Sequence, residues 1–161
     1  MAQFPDFLFL LILLGHLLAG NHPQGFSARC SGQDADGAFQ ARVAGLGSKL
    51  RIEWTRGSDS LTLIYRPDLK AYAMRAGSGE WRMEPSEGGD MFTGCAVLAR
   101  QKKLKGKATL DKRECQLYEC PEGIQLWLAG DPLRAERDAT RVDVVKVDGV
   151  PPPESQFSLP R

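Results

Sequence analysis

Across residues 50–84 apolar and polar side chains alternate almost without interruption, and this period of two constrains the fold more than any other feature of the chain. Leu50, Ile52 and Trp54 fall on one face, Arg51, Glu53 and Thr55 on the other. Gly57-Ser58-Asp59 breaks the run, Leu61, Leu63 and Tyr65 resume it, and Arg66-Pro67-Asp68 turns it. Residues 69–76 carry it to a second break at Gly77-Ser78-Gly79, and Trp81 and Met83 close the series. Strands joined by connections this short pair antiparallel, because parallel neighbours need a crossover of about a dozen residues or more.

Strand signals continue on both sides of this meander. Residues 38–44 put Phe39, Ala41 and Val43 on one face. After a loop at 85–89, Asp90 is placed to cap a helix over 91–102, with Met91, Cys95 and Leu98 along one side; the alternative is an irregular loop held by Cys95. Further strands are expected at 108–110, 114–120, 124–129, 133–138 and 140–147 before Pro151-Pro152-Pro153 ends the ladder. Phe157, Leu159 and Pro160 form an apolar hook expected to fold back onto the sheet. About ten strands are too many for a flat sheet in a chain this short. The expected fold is mainly β (α+β), a strongly curved antiparallel sheet or half-barrel wrapping a short helical insertion.

The beginning of the chain has its own composition. Residues 7–14 are wholly apolar, and Leu17-Leu18-Ala19-Gly20 follows with small residues at its end, the pattern of a secretory signal peptide over 1–20. No Lys or Arg precedes the apolar run. Asn21 stands where a lipidated cysteine would be, which excludes an anchor at that position. Cleavage is expected after Gly20, with Ala28 as the alternative. Residues 21–35 show no usable period and read as an N-terminal arm, and 36–160 as the folded domain, without a transmembrane span. Four cysteines, Cys30, Cys95, Cys115 and Cys120, follow the cleavage point; an even number in an exported chain suggests two disulfides. Free buried thiols are the other reading, since the spacing suits neither a zinc knuckle nor a CxxC redox pair.

Charge and histidine content limit the function classes. The formal charge of +1 gives no electrostatic basis for nucleic-acid binding, and the run from Arg100 to Lys107 reads as a solvated helix end and loop. Only His16 and His22 are present, one in the leader and one in the arm, so a nucleophile–histidine relay has no base. Asp131, Glu136, Asp138 and Asp143 are the candidate acid–base carboxylates, but acidic residues on strands ordinarily face solvent. No enzymatic activity, cofactor or metal is expected.

The order of several short motifs carries a resemblance. Leu50-Arg-Ile-Glu-Trp54, Tyr65-Arg-Pro-Asp68 before Ala71-Tyr72, and Trp81-Arg-Met-Glu84 resemble a family of secreted bacterial proteins related to the lipoprotein carriers LolA and LolB. So do Gly106 before a strand with Cys115 and Tyr118, Leu126-Trp127-Leu128-Ala129 before Pro132-Leu133, and Phe157-Ser-Leu-Pro160. The resemblance implies a bent antiparallel sheet around helices, with acyl chains of lipoproteins accepted in the hollow. The expected role is a non-enzymatic periplasmic or secreted binding protein for an acyl chain, lipid or lipoprotein, lined by Ile52, Trp54, Leu63, Tyr65, Trp81, Met83 and Trp127. The alternatives are an ordinary core packed on the helix, and an envelope scaffold or stress-sensing module that binds a protein partner through an exposed strand edge.

Overall fold

The computed structural model describes residues 4–86 and 91–160 and places eleven strands in one antiparallel sheet. The first six are β1 (Phe26–Asp34), β2 (Gly37–Leu46), β3 (Lys49–Arg56), β4 (Asp59–Arg66), β5 (Ala71–Ala76) and β6 (Arg82–Pro85). The others are β7 (Lys103–Leu110), β8 (Arg113–Cys120), β9 (Ile124–Ala129), β10 (Asp131–Arg137) and β11 (Thr140–Asp148). Their order across the sheet is β6-β5-β4-β3-β2-β1-β11-β10-β9-β8-β7. Two meanders are thus joined by the pairing of β1 with β11, and β6 and β7 remain open edges. Tight hairpins make this possible: Gly47 (φ 61°) and Gly57 (φ 58°) supply the left-handed residue in the turns before and after β3.

Two helices lie on the concave side. Helix α1 (Asp6–Asn21) packs against β1, β2, β3, β10 and β11, and α2 (Met91–Arg100), which carries the chain between the two edge strands, packs against α1. The expectation of one curved antiparallel sheet around helical material describes this architecture. Its plug differs from the expected one. The main filling is α1, the stretch read as a leader, and α2 is second. On α2 the buried residues are Phe92, Cys95 and Leu98; Met91, expected in that row, is half-buried. The capping residue expected at Asp90 lies outside the described residues.

Residues 21–35, read as an arm, contain β1, which occupies the middle of the sheet. Phe26, Ala28 and Cys30 are buried at alternate positions, so the period is present but after Phe26 it is carried by small side chains. The basic run at 100–107 is the end of α2 followed by edge strand β7, on which Lys103, Lys105 and Lys107 are exposed. Lysines on an open edge discourage further strand pairing. The apolar hook does fold back. Phe157 is fully buried; Arg66 Nη1 donates to its carbonyl at 3.0 Å, and Arg51 Nη1 donates to the Gln156 carbonyl at 2.9 Å.

The expected disulfides are absent: all four cysteines are separate buried thiols. Cys115 and Cys120 share β8 and are five positions apart, which puts them on opposite faces at roughly 16 Å, far beyond disulfide reach. Cys95 Sγ is instead 3.7 Å from the Phe9 carbonyl, and Cys115 Sγ is 3.6 Å from that of Ala108.

Close packing at the centre of the sheet generates a prediction. A Cβ on Gly32 would lie 2.2 Å from the Phe39 ring and 2.6 Å from the Arg141 carbonyl, whereas one on Gly106 would meet nothing within 4 Å. In thermal or urea unfolding, Gly32→Ala is expected to lose about 1–3 kcal/mol, and Gly106→Ala to be near neutral. Equal behaviour of the two variants would contradict the packing described.

Candidate functional site

The candidate site is the hollow of the sheet, and strand register decides which side chains reach it. Ile52 pairs with Val43 and Leu63, Trp54 with Ala41 and Leu61, and Leu50 with Tyr65, so these residues share the inner face. Tyr65 and Leu63 continue across β5 to Tyr72 and Met74. On the far side Ile124, Leu126, Ala135 and Val142 complete the same buried surface. Four of the sequence-predicted ligand residues, Ile52, Trp54, Leu63 and Tyr65, are therefore brought together in the hollow.

The other three are not. Trp127 pairs with Arg134, whose Nε donates to Asp143 at 2.6 Å on the outer face, and the guanidinium carbon lies 5.8 Å from the Trp127 ring centre. The inner face of β9 belongs to Ile124, Leu126 and Leu128, the alternate positions of that strand. Met83 pairs with Ala73 and so with the Ile64 side of β4; it is 47% exposed. Trp81 is half-buried and packs on Arg75, another residue of that outer row, with the guanidinium carbon 4.8 Å from the ring centre.

The hollow is occupied by the protein's own chain. Leu8, Leu10, Leu11, Ile12, Leu13, Leu14 and Leu18 of α1 are fully buried, and because successive positions point in all directions around a helix, α1 is apolar nearly all round, with His16 its one polar side chain between Asp6 and Asn21. Phe7 stacks on Trp54 with ring centres 4.4 Å apart, and Phe39 lies against both. Phe92 of α2 stacks on Tyr65 at 4.0 Å and meets Tyr72 and Phe4 at its edges. The indole Nε1 of Trp54 is buried without a hydrogen-bond partner among the described residues.

Ion-pair and amide contacts hold α1 near its two ends, and in its body the His16 ring meets the edge of Tyr65 with ring centres 6.5 Å apart. At one end Asp6 accepts a hydrogen bond from Arg137 Nη2 at 2.8 Å, and the same guanidinium lies 4.3 Å from the Phe9 ring centre. At the other, Asn21 Nδ2 donates to the Gly130 carbonyl at 2.9 Å, and His22 Nε2 sits 2.9 and 3.0 Å from the two Asp131 carboxylate oxygens. The sequence places His22 in an arm and Asp131 in the tight connection Gly130-Asp131-Pro132; the return of the chain into β1 beside the β9–β10 turn brings them together. Among the other carboxylates considered, Glu136 and Asp143 pair with Arg134 across the outer face, and Asp138 holds a left-handed turn position.

No protein-family model and no curated protein matches the chain. Solved structures do show similarity. MucB in complex with MucA(peri) is 14% identical over 92% of this chain, with a TM-score of 0.44, and the MucA/MucB complex of Pseudomonas aeruginosa is 13% identical over 93%, with a TM-score of 0.43. This chain spans about three fifths of the length of those MucB chains, 58% and 60%. A DUF1329 family protein from Desulfovibrio piger is 12% identical over 92% of this chain and 95% of its own, with a TM-score of 0.40.

Inside the hollow, burial pushes the Cys30 thiol up to about 12, with the Asp143 carboxylate adding to the effect. Cys30 is therefore expected to resist iodoacetamide at pH 8 in the native protein and to react once the protein is unfolded, as read by peptide mass spectrometry. Rapid native labelling would place Cys30 outside the packed interior.

Proposed function

We propose that the chain is a non-enzymatic, exported binding protein whose first twenty residues leave and whose hollow then accepts an apolar ligand, an acyl chain, lipid or lipoprotein. The observation that carries this reading is the nature of the present occupant. A helix with one apolar face is an ordinary core element; a helix whose side chains between Asp6 and Asn21 are apolar all round except for His16 has the surface of apolar cargo. Taken as a cylinder about 10 Å wide and about 24 Å long, α1 fills on the order of 2,000 Å³, more than the ~300–1,000 Å³ of an ordinary ligand pocket. Its departure would uncover inner side chains such as Trp54, on which Phe7 stacks, along with a spare indole donor, while Tyr65 keeps Phe92 of α2 over its ring.

The proposed cleavage point suits this reading. Asn21 and His22, which begin the processed chain, are the residues tied to Gly130 and Asp131, so β1 stays anchored when the preceding segment goes.

A second reading, a scaffold that binds a protein partner, is favoured by one observation only. Edge strand β7 offers an unpaired ladder flanked by Lys103, Lys105 and Lys107, which an acidic extended segment would complement.

The test is to express the whole gene in a bacterium that exports it, determine the N-terminal residue by intact mass, remove bound lipid, and titrate with cis-parinaric acid. Saturable fluorescence with a start at Asn21 is the expected result. Recovery of a soluble protein that begins at Asn21 and binds no probe would overturn the carrier reading.

A further inference from the structure

Resting on the carrier reading, we infer that Arg137 is the head-group residue of the hollow and that the ligand is an anionic amphiphile, a carboxylate head on an acyl tail. The helix now in the hollow has that form. Asp6 is its one charged residue, and an apolar body follows. The carboxylate is held by Arg137 while the Phe9 ring lies under the same guanidinium, so one side chain contacts both the anionic head and the start of the apolar segment.

Arg137 differs in this respect from the other arginine at the rim. Arg56 lies over the Phe39 and Trp54 rings, but its carboxylate partner, Asp34, is on β1 and remains whatever fills the hollow. Arg137 takes its close partner from the segment that leaves. What then remains is Glu122 at 3.9 Å, a side chain 63% exposed; with α1 in place the Arg137 side chain is 15% exposed. Register places it inside: Arg137 pairs with buried Thr140, two positions from the inward pair Ala135 and Val142. A partly buried guanidinium deprived of its carboxylate favours an anion that restores a charge-assisted hydrogen bond.

A way in for the tail is already open beside it. A groove of about 590 Å³ runs between the helices and the turn after β8, lined by Phe9, Val97, Leu98, Pro121 and Glu122 among others. Glu122, which stays when α1 leaves, is also a neighbour of Arg137. Head site and apolar groove therefore adjoin, and loss of α1 would extend the groove into the hollow.

The experiment uses the exported, host-processed chain and two probes, cis-parinaric acid and its methyl ester, against the parent, Arg137→Gln and Arg137→Lys. The parent should prefer the acid. Arg137→Gln should weaken acid binding about tenfold, the scale of one charge-assisted hydrogen bond, while leaving the ester unchanged; unchanged ester binding also shows that the hollow is intact. Arg137→Lys should restore part of the preference. Equal binding of both probes to the parent, with no effect of Arg137→Gln, would overturn the head-group assignment and leave the carrier reading standing. Binding of neither probe by the parent would overturn both.

Discussion

An open sheet cannot bury its own inner face, and everything else in this structure follows from that. The eleven strands curl, but β6 and β7 never meet, so the apolar side of the sheet needs other material against it. Closed barrels solve the problem by pairing their edges. Here α1 and α2 do so by volume. Each of the fully buried Leu and Ile side chains of α1 is worth about 1.5–3 kcal/mol of transfer free energy, and taken together they rival the ~5–15 kcal/mol by which a whole domain is stable. The hollow is therefore never cheaply empty. If α1 leaves, either the sheet narrows around α2 or something equally apolar takes the vacated space.

The outer face obeys a different rule. Lys146, Arg29 and Arg42 stand next to one another across β11, β1 and β2, followed by Glu53 on β3. Like charges side by side on a sheet are unfavourable, and they persist only where water screens them. Arg134 and Asp143, and Arg51 and Glu53, pair on the same surface. Part of this face is covered: Phe157 and the turn around it lie over β3 and β4, held through backbone carbonyls by Arg51 and Arg66.

How much of this was legible in the sequence depended on which residues carried the period. Where large aliphatic and aromatic residues alternate, as in β3 and β4, both the strands and their inner face were readable, and Ile52, Trp54, Leu63 and Tyr65 are where alternation puts them. β1 escaped notice because Ala28 and Cys30 carry its inner face. Trp127, Trp81 and Met83 were misplaced for the opposite reason: side-chain size was preferred to parity. On β9 the parity of Ile124, Leu126 and Leu128 already assigns Trp127 to the other side, and the arginine beneath it gives that ring a cationic seat. For β6 the register against Ala73, which a strand of four residues does not announce, decides the face of Met83.

The leader-like composition of α1 and its place in the fold make one demand on the sequence. A segment recognised for export must be apolar over two or three turns and carry few charges; a segment that fills this hollow must be apolar around its whole circumference. On the proposed reading the same residues meet both conditions in succession, and the polar contacts fall where the succession requires them. Those at Asn21 and His22 lie beyond the proposed cleavage point and tie the start of β1 to the β9–β10 turn. That between Asp6 and Arg137 lies before it, and is lost with the helix. On that reading the processed protein keeps a lined cavity, a retained anchor at one end and, at the other, a guanidinium whose remaining carboxylate neighbour is Glu122 at 3.9 Å. That asymmetry gives the hollow a direction as well as a volume.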